Sequence, residues 1–198
     1  MIPATMITFP DLSHYNKVTV DPFALGPALI NKTTQGNSFV DPTWLHRAQD
    51  VFWGGKLIGG YLFATGDDPN SQVTLFLSTV ENALGTMAHP RLKLAVDYEA
   101  NPGNQCSQMQ AEQLVSAIRL ATGKRPLLYM DYSMWQQSQG SAILMACDLW
   151  LAEYGPIAKA IYKLWQFSET NNFPGVPGKS DINQFLGDLP SLTAWWAT

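Results

Sequence analysis

The sequence predicts an α/β protein built on a mostly parallel sheet, open or closed into a barrel, with its helices concentrated in the first half. Two observations carry that prediction. Up to about Ser133, short apolar runs alternate with longer amphipathic segments, the pattern of strand-helix-strand units. Beyond that point apolar runs succeed one another with connections too short, in most cases, for a full crossover helix. One domain over residues 1–198 is the simplest organisation, because no internal repeat or low-complexity linker interrupts the chain.

Taken in order, "ITFPDLS", "PALINKT", "KLIGGYLFA", "RLKLAVDYE" and "RPLLYMDY" read as strands, each apolar enough to be covered on both faces. Three helices fall between them. "DPTWLHRAQDVFWGG" opens on Asp-Pro and stops at two glycines, and "DPNSQVTLFLSTVENAL" has the same kind of start. "SQMQAEQLVSAIRLATG" carries a Ser107-x-x-Gln110 capping box and ends at Gly123. The later runs "CDLWLAEYG", "AIYKLWQFS" and "DINQFLG" read as strands, and "TNNFPGVPGKS" as the loop joining the last two.

Composition narrows the function classes. Only 14% of residues are charged against a usual share of about a quarter, and the formal net charge is -4. No Lys/Arg cluster is present, which argues against nucleic acid or an anionic membrane as partner and favours a neutral or polar substrate. No apolar run approaches the roughly 20 residues of a membrane span, so no membrane insertion is expected. The stretch "MIPATMITFPDLSHYN" lacks a basic segment followed by an apolar one, so no signal peptide is expected within the chain. Cys106 and Cys147 have no companions at metal-ligand spacing and are expected as free thiols.

The chemistry concentrates in "LAVDYEA". In an extended strand, residues i and i+2 share a face about 6.6 Å apart, which puts Asp97 and Glu99 side by side. Two like charges in a partly desolvated site do not both ionise readily, so one is expected to hold its proton to higher pH, as a general acid must. Asp11 in "FPDLSHYN" and Asp181 in "KSDINQF" sit at the margins of other strand-like runs. Active sites of parallel barrels lie at the C-terminal ends of the strands, so several carboxylates at one mouth are more than solvated strand ends. Aromatics gather at the same ends: Tyr61 and Phe63, Tyr98, Tyr129 and Tyr132, Trp150 and Tyr154, Trp165 and Phe167. Singly each reads as core; together they suit stacking on sugar faces.

In order along the chain, "DLSHYN", "NKTTQG", "GGYLF", "LAVDYE", "PLLYMDY", "LWLAEYG" and "LWQFSETNNFPGVPGKSDINQF" resemble glycoside hydrolase family 25, the N-acetylmuramidase type of lysozyme. The resemblance covers nearly the whole chain. It implies an irregular, flattened TIM-like barrel of eight strands, (β/α)5(β)3-like, with few helices in its later part. It also implies cleavage of the β-1,4 bond between N-acetylmuramic acid and N-acetylglucosamine in peptidoglycan, with retention of configuration and with no metal or organic cofactor. By the matching motifs Glu99 is the catalytic acid, Asp97 its partner carboxylate, acting either as nucleophile or as stabiliser of an attack by the substrate's own 2-acetamido group, and Asp11 and Asp181 the further acids of the mouth. Tyr61, Phe63, Tyr98, Tyr129, Trp150 and Trp165 are the candidates for substrate contact.

Two departures stand out. The family's Ile-Lys-Ala-Thr-Glu-Gly is Asn31-Lys32-Thr33-Thr34-Gln35-Gly36 here, and its Tyr-His-Phe is Tyr61-Leu62-Phe63. The acid pair is untouched, whereas subsite contacts differ. His14, beside a turn, is expected to be structural, and His46 and His89 have no catalytic context. The implied partner is the glycan strand of peptidoglycan, met by a monomer at the bacterial wall, outside the cell or in the periplasm, with room for a delivery or inhibitor protein. The rival readings are a glycan-binding module on the same barrel and a metal-dependent phosphodiesterase. Four retained acids argue against the first, and the missing basic residues at the strand ends against the second.

Overall fold

A computed structural model describes residues 6–198. The chain runs β1 (Met6–Leu12), β2 (Ala28–Gln35), β3 (Phe39–Val40), α1 (Trp44–Trp53), β4 (Leu57–Phe63), α2 (Pro69–Leu84), β5 (Leu92–Asp97), α3 (Gln108–Thr122) and β6 (Leu127–Asp131). It continues through α4 (Tyr132–Gln137), α5 (Ala142–Met145), β7 (Asp148–Ala152), β8 (Leu164–Phe173), β9 (Val176–Leu186) and α6 (Leu189–Trp196). The sheet order β1-β9-β8-β7-β6-β5-β4-β2-β3, with an added β1–β2 pairing, closes eight strands into a barrel and leaves β3 as an appendage. Pairing is parallel from β1 through β2 and β4 to β8, while β9 runs antiparallel to both its neighbours. The irregular eight-stranded barrel expected from the sequence is therefore the one observed.

Period-two alternation sorts the strand residues into two apolar layers. One layer, including Leu29, Ile58, Leu62, Val96, Leu128 and Met130, packs outward beneath α1, α2 and α3. The other, including Phe9, Ile30, Ala95, Leu127, Trp150, Leu164 and Phe185, fills the barrel and is joined from below by Leu192 and Trp196 of α6. Trp196 Nε1 donates to Ile58 O at 3.1 Å, so the last helix stoppers the N-terminal end of the barrel. Beside it the buried Lys93 ammonium meets Asp148, which also accepts from Trp195 Nε1 at 2.8 Å and pairs with Arg125.

Helix boundaries follow local chemistry. The α3 capping box is present in both directions, Ser107 with Gln110, and Gly123 ends the helix in the left-handed conformation at φ 68°. Pro69 opens α2 behind the Asp68 side chain, which accepts from Ser71 N. No described helix is long and apolar enough to cross a membrane.

Two sequence expectations require correction. "TNNFPGVPGKS" is not a loop: β8 extends to Phe173 and β9 starts at Val176, so the segment is a hairpin turning at Pro174-Gly175. Its glycines and prolines read as loop, yet the positive φ of Gly175 (84°) is what a two-residue turn needs, and its carbonyl accepts from Thr19 N at 2.9 Å. The second half also holds helices, namely short α4 and α5 between β6 and β7 and the terminal α6. The crossover from β7 to β8 is made without a helix.

Candidate active site

The mouth of the barrel, at the C-terminal ends of the parallel strands, holds a cavity of about 250 Å³. Asp11, Asp97, Glu99 and Asp181 all line it, together with Glu169. They arrive from three strands at or near this end of the barrel, β1, β9 and the end of β5. Asp97 ends β5 opposite Phe63 of β4 and Tyr129 of β6, and Glu99 follows two residues on with its backbone already clear of the sheet. Asp11 near the end of β1 stands opposite Asp181 of β9. The four acids picked out in the sequence are thus brought together.

Their electrostatics follow from desolvation and crowding. Burial, and then the Glu99 charge, hold the Asp97 carboxyl well above the usual range. Glu99 is raised for the same first reason, with Asp131 and Asp181 adding to it and Lys32 opposing. Asp11 is raised by burial and by Asp181, and Asp181 is itself pushed up to about 6 by burial and Glu169. The Asp97 Oδ1 atom is buried with no hydrogen-bond partner. Such an oxygen bears an uncompensated desolvation cost, which a donor on a bound molecule would remove.

Asp11 is held very differently. Its Oδ2 accepts from Asn183 Nδ2 at 2.8 Å and from Gln166 Nε2 at 3.1 Å. Gln166 Oε1 accepts in turn from the hydroxyls of Tyr129 (3.0 Å) and Tyr154 (2.9 Å), and Asn183 Oδ1 from Trp150 Nε1 at 2.7 Å. This chain of amides and aromatics ties β1, β6, β7, β8 and β9 into one wall and fixes which groups face the cavity. Gln166 and Asn183 were not singled out from the sequence, although both lie inside motifs quoted above, "LWQFS" and "DINQF". Lys32, Ser13, Tyr15 and Glu169 also line the cavity unanticipated as contacts, and so does Tyr154, one of the aromatics gathered at the strand ends.

Of the aromatics, Tyr61, Phe63, Tyr129 and Trp150 line the cavity, and Tyr98 and Trp165 do not. Tyr98 falls between the two acids in sequence, so alternation turns it to the other face, where it is buried in the outer apolar layer. Trp165 precedes the inward Gln166 and faces out, donating from Nε1 to the Glu153 carbonyl at 2.8 Å. Both are corrected from candidate sugar contacts to packing residues. His14 Nδ1 lies 2.8 Å from Asp41 Oδ2, which also accepts the His14 backbone N–H. Both cysteines are free, and burial pushes each thiol up to about 11. Among the described residues no group of three or more His, Cys, Asp or Glu is arranged to hold a metal ion.

A family model for glycosyl hydrolases family 25 matches residues 11–176. The autolytic lysozyme of Clostridium acetobutylicum is 24% identical over 157 residues, covering 78% of this chain and 47% of that protein. Lysozyme M1 of Streptomyces globisporus is 27% identical over 182 residues, covering 82% of this chain and 61% of its own length. The chain therefore spans about half to three fifths of the curated relatives it matches. The bacterial lysozyme of Streptomyces coelicolor superposes with a TM-score of 0.81 at 21% identity, over 96% of this chain and 97% of that one. A family GH25 lysozyme from Aspergillus fumigatus gives 0.77 at 22% identity, over 98% and 100%.

Proposed function

The chain belongs to glycosyl hydrolase family 25, and from that premise we propose that it is an N-acetylmuramidase, cutting the β-1,4 bond between N-acetylmuramic acid and N-acetylglucosamine in peptidoglycan with retention. The observation that carries the reading is the Asp97–Glu99 pair at the barrel mouth, buried among like charges that favour a carboxylic acid able to keep its proton. Lysozyme-named relatives support the substrate class.

Glu99, the less buried of the pair, gives its proton to the glycosidic oxygen as the bond to C1 breaks and the leaving sugar takes the bonding electrons. The 2-acetamido carbonyl oxygen of the muramic acid closes on C1 to give a cyclic oxazolinium. Its N–H is held by Asp97, whose Oδ1 lacks any other donor. Water then loses a proton to the Glu99 carboxylate and adds to C1 from the face the leaving group left, while the oxazolinium C1–O bond breaks and its electrons return to the acetamido group. Two inversions at C1 give net retention. Asp11 and Asp181 line the same mouth and are placed to support the acid pair and the acetamido group by hydrogen bonding. Tyr61, Phe63, Tyr129 and Trp150 offer rings and edges for sugar contact. The protein acts on the wall from outside the cell or in the periplasm, as a monomer.

A digest of purified peptidoglycan by wild type and Glu99→Gln tests this, with the soluble products reduced and their end sugar identified by mass spectrometry. Muramic acid ends from wild type, and a loss of at least about 100-fold in the variant, are expected. Intact glycan with wild-type protein would point instead to a glycan-binding module.

A further inference from the structure

Lys32 is the feature of the mouth that the mechanism above leaves unused. Among the described residues lining the cavity it is the only cation, set against the carboxylates of Asp11, Asp97, Glu99, Glu169 and Asp181. It is 6% exposed, a buried ammonium whose position therefore needs a cause.

The cause is a break in the β2 ladder. Lys32 pairs with Tyr61 and Thr34 with Leu62, so Thr33 is an extra residue bulged out of the β2–β4 register. In a regular strand Lys32 and Gln35 would lie on opposite faces. The bulge reverses the parity after Lys32, and both then share the face of Tyr61 and Phe63. Lys32 Nζ donates to Gln35 Oε1 at 2.5 Å and lies 4.6 Å from the Phe63 ring centre and 5.8 Å from that of Phe39. The arrangement is maintained at a cost: the Thr33 and Thr34 hydroxyls are buried without partners. It also requires Gly60, where a Cβ would stand 2.6 Å from Thr33 Oγ1 and 2.8 Å from the Trp44 ring. The bulged Thr33 carbonyl is used to anchor Asp41 N at 2.9 Å.

Because its hydrogen-bond partner is a neutral amide, the ammonium charge stays uncompensated locally and acts on the acids. Of the three that act on it, Asp97 does so most strongly, then Asp41, and Glu99 least. We propose that Lys32 is a positioning residue for the acid pair: delivered to the mouth by the β2 bulge and held by the neutral Gln35, its ammonium opposes the burial and crowding that drive Asp97 towards its protonated form and so biases the shared proton towards Glu99. This inference rests on the muramidase reading for its role in turnover, whereas the charge relationship stands by itself. The other groups facing the pair are Asp11 and Asp181 from β1 and β9, Asp131 at the end of β6, and the tyrosines Tyr61 and Tyr129, all of which disfavour rather than favour ionisation of these acids or stay neutral.

The test is a carboxyl-carbon NMR titration of Asp97 and Glu99 in wild type, Lys32→Met, Lys32→Arg and Gln35→Glu, with the pH profile of peptidoglycan cleavage run alongside. In Lys32→Met the Asp97 midpoint should rise by about one unit or more, and the acid limb of kcat/KM should move up with it. Gln35→Glu retains the lysine and should move both in the same direction by less, and Lys32→Arg should restore them. An Asp97 midpoint unchanged in folded Lys32→Met overturns the proposal. Should that variant not fold, an unchanged midpoint in Gln35→Glu does so. If wild type leaves peptidoglycan intact, the muramidase reading fails and the titration still decides the role of Lys32.

Discussion

Asp11 and Asp181 are direct cross-strand partners on β1 and β9, two carboxylates facing one another where the barrel closes. Like charges opposite each other on antiparallel strands destabilise the pairing, and each raises the affinity of the mouth for protons.

Burial of the pair, with Glu169 beside Asp181, sets a pH dependence of stability. Asp181 binds its proton with a pKa of about 6 when folded, against an ordinary value of 3.8. A folded-state value above the unfolded one contributes stability that is complete below about pH 4 and is lost as pH rises through about 6. Asp11, Asp97 and Glu99 shift in the same direction and carry the same sign. Thermal melts should therefore show Tm falling between pH 4 and 7. Asp181→Asn should flatten that fall and stabilise the protein at pH 7 by roughly 1–2 kcal/mol, after allowance for its partial contact with solvent.

Gly60→Ala tests the space the β2 bulge needs. With Thr33 Oγ1 and the Trp44 ring both closer than 3 Å to the added methyl, neither neighbour has room to yield, since both are buried. Urea unfolding should give a loss of about 1–3 kcal/mol. An undiminished midpoint would mean that the bulge relaxes at no cost.

The aromatic residues should separate by strand parity. Trp165→Phe removes a hydrogen bond to the Glu153 carbonyl on the outer face and should cost about 1 kcal/mol of stability while leaving KM within about twofold. Trp150→Phe removes the donor that fixes Asn183, and through it Asp11, so kcat should fall about tenfold or more with the fold intact. Steady-state kinetics on a soluble glycan fragment, with melts, read both.

Thiol titration addresses the two cysteines. Both are free and both thiols are raised to about 11, so at neutral pH almost none is thiolate. Native protein should react slowly with a disulfide reagent, Cys147 ahead of the more deeply buried Cys106, and unfolded protein should yield two thiols at once.

Legibility in the sequence tracked how directly each feature depends on local chemistry. Asp97 and Glu99 were readable because a strand of period two puts them on one face, and the Ser107–Gln110 cap because both partners lie within one turn. Tyr98 and Trp165 were misassigned by proximity to the right motifs, when the same period of two places them on the opposite face. The amides Gln166 and Asn183 carry no chemical mark until the strands bearing them meet β1. The company of Lys32 and Gln35 depends on a bulge, which a regular period cannot anticipate. α6 did leave a signal, the Asp188 side chain accepting from Ser191 N ahead of a Pro-containing first turn, masked by an apolar ending that also suits a strand.

The seam between β1 and β9 has a bearing on how the molecule comes into being. Asn183 reaches Asp11 across 172 positions of chain, and the site wall they form is unfinished until the last strand pairs with the first. Contacts of such separation form late and slowly, because the loop entropy must be spent before they give anything back. A growing polypeptide that has emerged only as far as β8 can carry Asp97 and Glu99 on folded strand-helix units, yet it lacks Asp181, Asn183 and the strand that closes the mouth. Completion of the mouth thus waits on β9, the strand that brings Asp181 and Asn183 to a wall already begun by β1.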